Sequence, residues 1–99
     1  LEADWEAARL LVLNAAWMAD NGKPNTTEAS MSKAKAGRMC NKVTLSCVKL
    51  CNNLGYSEEN LLEKFARDSK ILDIFEGTQQ IQQLIIARNV LGKSSSDLK

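Results

Sequence analysis

Ninety-nine residues make one small domain, 44% apolar and only 5% aromatic, with 13 basic side chains against 12 acidic ones. That length allows a single modest core, burying roughly two-thirds of the surface of the unfolded chain, and excludes a second domain. A net charge of +1 with scattered lysines leaves no electrostatic footprint for nucleic acid, and no apolar run approaches the ~20 residues of a membrane span.

The first helix is expected from about Glu2 to Asp20, a stretch rich in Ala and Leu, both strong helix formers. Asn21-Gly22 and Pro24 end it, because Gly supplies a left-handed cap and Pro cannot continue the helix. From Leu10 to Ala19 every residue except Asn14 is apolar, so the C-terminal half of this helix has no polar face. A helix that is apolar all round is covered all round. Three helices leave one side open, so a partner chain or further sequence is expected to supply the cover, and the expected state is an oligomer.

Asn25 is expected to cap the second helix, with Glu28 reaching back towards its first free amides. That helix runs through Ala29, Met31, Ala34, Met39, Val43, Cys47 and Leu50, spaced at threes and fours. Cys40, Cys47 and Cys51 share this helical spacing and contain no CxxC pair, so neither a zinc site nor a redox pair is expected. They read as small buried residues of a reducing compartment. Asn52-Asn53-Leu54-Gly55 breaks the helix.

A shorter helical stretch is expected from Glu58 to Ala66, with a further turn or two from Asp68 to Phe75. Gly77 breaks the chain again, Thr78 caps a last helix from Gln79 to Leu91, and Gly92 closes it. Residues 93–99, with three serines in a row, read as a polar flexible tail. Nothing alternates with period two for long enough to be a strand, so the fold class is all-α. The chain opens with Leu inside a helical pattern and shows no secretory leader. It is therefore expected to be a soluble, intracellular piece of something longer.

There is no His, which removes the commonest metal ligand and the commonest general base. Acid–base chemistry must then fall to a carboxylate, a Lys, a Tyr or a Cys. The most informative stretch, Ile74-Phe75-Glu76-Gly77-Thr78-Gln79-Gln80-Ile81, sets a carboxylate between two helices. In one reading Glu76 only complements the dipole of the following helix, by ~0.3–1 kcal/mol. In the other it is a general base, strengthened for carbon acids by desolvation against Ile74 and Phe75. The amides of Gly77 and Thr78 at a helix start also offer a seat for a phosphate.

Phe75-Glu76-Gly77-Thr78-x-Gln80-Ile81-Gln82, followed by Ile86-Ala87-Arg88, resembles the C-terminal signature of the acyl-CoA dehydrogenases. Glu6-Ala7-Ala8-Arg9-Leu10-Leu11, Asn21-Gly22-Lys23-Pro24-Asn25, Ala29-Ser30-Met31-Ser32-Lys33 and Arg67-Asp68-Ser69-Lys70-Ile71 fall in the same order and spacing. The resemblance covers residues 1–92 without a gap. It implies an up-and-down helical bundle, the C-terminal domain of that fold, with the bundle's first helix missing from this chain.

The resemblance also implies a chemistry. Such enzymes bind FAD and desaturate acyl-CoA thioesters between Cα and Cβ. A Glu placed immediately before Gly-Thr, as in the medium- and short-chain straight-chain branch, removes the α-proton as hydride leaves Cβ for the flavin. Glu76 matches that base, and its own amide matches a donor to the thioester carbonyl. Phe75, where the family more often has Tyr, and Gly77 match the substrate side. Thr78, Gln79 and Gln80 match FAD contacts. Arg88 matches a position near the substrate, the other readings being a solvated helix residue or a buried ion-pair partner.

Where the family carries Gln-x-x-Gly-Gly-x-Gly against the FAD of a neighbouring subunit, this chain has Lys49-Leu50-Cys51-Asn52-Asn53-Leu54-Gly55. Asn52 and Asn53 then stand at the cofactor contact, with Lys49 able to reach a phosphate. Asn tolerates a left-handed backbone better than most residues. The family's Tyr-Pro before the next helix is replaced by Asn60-Leu61, read as a structural change only. Implied partners are an acyl-CoA substrate, an electron-transferring flavoprotein as acceptor, and further copies of the chain in a dimer or tetramer. The implied compartment is the cytoplasm of a bacterium or the mitochondrial matrix of a eukaryote. The alternatives are a non-catalytic oligomerisation module derived from the family, or an acyl-CoA oxidase.

Overall fold

The longest helix, α2 (Thr26–Leu50), is a spine along which the rest of the chain is laid. In this computed structural model, which describes residues 1–94, 96 and 97, it is preceded by α1 (Glu2–Asp20). It is followed by α3 (Asn52–Gly55), α4 (Leu62–Asp68) and α5 (Gln79–Leu91), with 3-10 turns at Glu58–Asn60 and Ser69–Asp73. Among the described residues there is no strand. The all-α, up-and-down arrangement expected from the sequence is therefore the one observed.

α1 lies antiparallel to α2. Near one end Asp4 receives Lys42 at 2.6 Å and Lys35 at 3.2 Å, and the hydrogen bonds from these two ammonium groups hold its carboxyl down to about 2. Near the other end Asn25 Nδ2 donates to Ala15 O at 2.8 Å. This corrects the role expected for Asn25. It stands at the N-cap of α2, but its side-chain oxygen accepts no cap hydrogen bond among the described residues, the side chain being turned towards α1 by its Nδ2 donation to Ala15 O. The end of α1 closes as expected on a left-handed Gly22 (φ +65), with Gly22 N bonded to Ala19 O and Lys23 N to Met18 O.

The remainder of the chain returns along α2 as a broken third arm. Asn41 Nδ2 donates to Ser69 O at 3.1 Å, Thr44 Oγ1 pairs with Ser69 Oγ at 3.1 Å, and Asn89 Nδ2 reaches Thr27 Oγ1 at 2.9 Å. The face of α2 that meets this arm is made of small residues: Ser30, Gly37 and Val48 are buried, while Ala29 and Leu50 of the expected apolar series are exposed. Gly37 explains the choice. A Cβ there would stand 2.9 Å from Leu72 O and 3.2 Å from Asp73 Oδ1, so only glycine lets the Ser69–Asp73 turn rest on the helix backbone.

Beyond α2 the chain reverses at Asn52, whose φ of +52 is left-handed, as an Asn allows. Gly55 then lies so close to the main chain of Val48 that no Cβ fits. Leu61 is also left-handed, at φ +60, and separates the 3-10 turn from α4 where one continuous helical stretch is expected. Cys40 and Cys47 are half-buried, but Cys51 is exposed, against the expectation that all three are covered. After Gly92 (φ +65) the described part of the tail makes a turn in which Asp97 accepts from Ser94 N and Oγ at 3.1 and 2.9 Å. Ser95, Leu98 and Lys99, the rest of the expected flexible tail, lie outside the described residues.

The apolar half of α1 is left open. Leu10, Val12, Leu13 and Trp17 are each about half exposed, and only Ala8 and Ala15 of this helix are buried. The chain forms a slab of 49 × 34 × 20 Å, with a radius of gyration of 16.3 Å against about 13 Å for a closed domain of this length.

Candidate active site

The Ser69–Asp73 turn and α5 are joined by residues 74–78, and this loop carries the two left-handed residues Glu76 (φ +55) and Gly77 (φ +95). A left-handed conformation is ordinary for Gly but costs an L-residue about 1–2 kcal/mol. Glu76 is held in it by side chains from two helices. Lys33 Nζ, from α2, donates to Leu72 O at 2.7 Å and Gly77 O at 3.1 Å. Gln82 Nε2, from α5, donates to Glu76 O at 3.3 Å. Gln79 Nε2 donates to Ala34 O at 2.5 Å and to Asp73 Oδ1 at 2.7 Å, tying the start of α5 and the end of the 3-10 turn to α2.

Thr78 caps α5 as the sequence leads one to expect, its Oγ1 accepting from Ile81 N at 3.2 Å. With Ile81 capped and Gln82 N on Thr78 O, the amides of Gln79 and Gln80 have no partner among the described residues and are open to an outside acceptor. A cleft of about 320 Å³ opens beside the loop, walled by Ala36, Gly37, Cys40, Leu72 and Phe75, with Lys33 and Glu76 as its charged members. Lys33 Nζ lies 6.0 Å from the centroid of the Phe75 ring. A carboxylate, an aromatic wall and a cation therefore share one small apolar cleft.

The desolvation expected at Glu76 is not provided by these residues. Glu76 is exposed, and Ile74 and Phe75, the neighbours meant to cover it, are 49% and 46% exposed. The physical reason is the open slab: the loop sits at its surface, and no described residue covers it.

The other site residues fall into three places. Gln79 is buried and mostly structural, although its Oε1 has no hydrogen-bond partner among the described residues. Gln80, next to it, is exposed. Arg88 lies about 13 Å further along α5 at 1.5 Å per residue. It is half-buried, with its Nε unpartnered among the described residues, so it is neither a freely solvated side chain nor an observed ion-pair partner. Lys49, Asn52 and Asn53 are exposed at the far end of α2, about 24 Å along that helix from Lys33. The structure thus gathers Glu76, Phe75, Gly77, Thr78 and Gln80 at one place and holds the Lys49–Asn53 group away from them.

Lys33, Asp73 and Gln82 belong to the loop's support and are not among the residues singled out from the sequence. Lys33 and Gln82 fall inside the stretches that carry the family resemblance, but their contacts with the loop are made only by folding. Lys33 is 39 and 44 residues from the carbonyls it binds.

Residues 1–91 match the family model described as the C-terminal domain of acyl-CoA dehydrogenase. Over 88 residues the chain is 43% identical to a subunit of the caffeyl-CoA reductase–Etf complex of Acetobacterium woodii, covering 89% of this chain and 23% of that protein. It is 40% identical over 86 residues to the mitochondrial short-chain specific acyl-CoA dehydrogenase of Bos taurus, covering 87% of this chain and 21% of that one. The solved structure of butyryl-CoA dehydrogenase from Megasphaera elsdenii superposes with a TM-score of 0.88 at 37% identity, over 91% of this chain and 24% of that chain. The chain spans about a quarter of the length of these relatives.

Proposed function

The chain belongs to the acyl-CoA dehydrogenase family, as that family's C-terminal helical domain. On that premise we propose that it supplies the glutamate base of an FAD-dependent enzyme that desaturates an acyl-CoA thioester between Cα and Cβ. The observation that carries this reading is the placing of Glu76: a charged, left-handed residue on the wall of an apolar cleft, its carbonyl held by Gln82 and the carbonyls on either side of its loop held by Lys33. Non-glycine residues held in such a backbone cluster at active sites, where the strain is part of the positioning.

In this reading the Glu76 carboxylate takes the α-proton, and the Glu76 amide donates to the thioester carbonyl, making that proton more acidic. Phe75 and Leu72 form the apolar wall beside the acyl chain, and Gly77 lets the loop turn next to it. Arg88, further along α5, is assigned to the substrate side by the same family match. The free amides of Gln79 and Gln80, the Thr78 hydroxyl and the unpartnered, buried Gln79 Oε1 make a donor and acceptor set that fits a polar cofactor. Bound FAD supplies the two-electron acceptor for the hydrogen leaving Cβ. Lys49, Asn52 and Asn53 lie too far from Glu76 to join the same end of one cofactor. They contribute instead to the FAD of a neighbouring copy, which makes the working form a homo-oligomer. The Etf complex to which the Acetobacterium relative belongs supports an electron-transferring flavoprotein as the acceptor.

The test is optical. The protein that carries this chain is expected to purify with a flavin spectrum, and its flavin absorbance should bleach when a straight-chain acyl-CoA is added without oxygen. A colourless protein that cannot be loaded with FAD would reject the proposal.

A further inference from the structure

The chemistry proposed for Glu76 makes no use of Lys33, yet the Lys33 ammonium is engaged entirely with the loop that carries Glu76. Its two carbonyl partners, Leu72 O and Gly77 O, stand on either side of Asp73–Glu76, so one cation bridges the entrance and the exit of the loop. Among the described residues no carboxylate lies within ion-pair distance of its Nζ. An ammonium offers three N–H donors and no acceptor. Here two of those donors are set on main-chain oxygens, and the Phe75 ring stands 6.0 Å away.

The arrangement does more than seat a lysine. Glu76 and Gly77 are both left-handed, and among the described residues the Glu76 carbonyl itself is held by the long bond from Gln82, at 3.3 Å. Without Lys33 the main chain loses its bridge between the two ends, the side-chain bond from Gln79 to Asp73 remains, and the left-handed conformation at Glu76 is freer to relax. We propose that Lys33 is a positioning residue for Glu76: it sets the width of the loop and, through it, the direction of the carboxyl group. This rests on the reading of Glu76 as the base. A displacement of the order of 1 Å at a catalytic group costs about 10²-fold in rate.

The test uses the FAD-loaded protein that carries this chain, with Lys33→Met, Lys33→Arg, Glu76→Gln and the Lys33→Met/Glu76→Gln pair. The first readout is amide hydrogen exchange at Ile74 and Phe75, whose N–H groups both bond to Ile71 O at 3.0 Å. Lys33→Met is expected to speed their exchange about tenfold or more while α1 is unchanged, and Lys33→Arg to restore most of the protection, since it keeps a cationic donor. The second readout is kinetic. Lys33→Met should lower kcat by about 10- to 100-fold with KM within about twofold, and should cost nothing further once Glu76 is Gln.

Unchanged exchange, or an unchanged kcat, in Lys33→Met would overturn the proposal. So would an equal further loss in the Glu76→Gln background. Should Glu76→Gln itself turn over like the parent, the base assignment fails, and the exchange result still decides whether Lys33 holds the loop. Where Lys33→Met does not fold, Lys33→Gln makes the same comparison.

Discussion

At Glu76 the backbone and the side chain pull in opposite directions. The left-handed φ of +55 suits glycine, and the family signature sets a glutamate there. Glu76→Gly is therefore expected to be more stable than Glu76→Ala by about 1 kcal/mol, because both lose the carboxylate but only Ala keeps the strain. Unfolding midpoints of the two variants check this, and equal midpoints would show a relaxed backbone. Single residues were legible in the sequence where the physics is local. Gly22, Thr78 and Gly92 do what their types dictate, within one turn of a helix. Asn25 did not, since its Nδ2 donates to a carbonyl of α1 and turns the side chain away from the cap. Lys33 was silent for the same reason at longer range: its role depends on two carbonyls that only the fold brings near.

At the level of elements, the sequence placed α1, α2 and α5 to within a residue of their observed ends, because long, strongly punctuated helices depend mostly on propensity and caps. The apolar series of α2 is half-buried on the α1 side at Met31, Ala34, Met39, Val43 and Cys47, but the second packed face of this helix was not legible. A search for apolar residues finds Ala29 to Leu50, whereas the face in contact with the third arm is small, with Ser30, Gly37 and Val48 buried. Close backbone approach selects small side chains, and an apolar count does not see it. Gly37→Ala is expected to destabilise the protein by about 1–3 kcal/mol, as an overpacked contact does, because Leu72 O must move. Since Leu72 O is also the first carbonyl held by Lys33, the same variant should lose turnover. Full activity at unchanged stability would show that the turn and α2 have room to give. The break at Leu61 was not legible either, for nothing in its type favours a left-handed backbone.

The whole chain is an open slab, and its exposure follows from the apolar run noticed in the sequence. Leu10, Leu13 and Trp17 have neighbours on one side only, as a helix without a polar face must when its cover is absent. Produced as these residues alone, the chain is expected to self-associate. Light scattering behind size exclusion should report at least twice the mass of one chain, and a well-folded monomer would contradict that expectation. The same openness leaves Glu76 in solvent, so its strength as a base depends on whatever closes over the loop. Glu76→Gln in the FAD-loaded protein tests the central claim most directly, because it keeps the size of the side chain and removes the base. Turnover of a straight-chain acyl-CoA is expected to fall by about 10³-fold or more with the flavin spectrum and thioester binding intact. Turnover within about tenfold of the parent, well inside what a general base contributes, would contradict it.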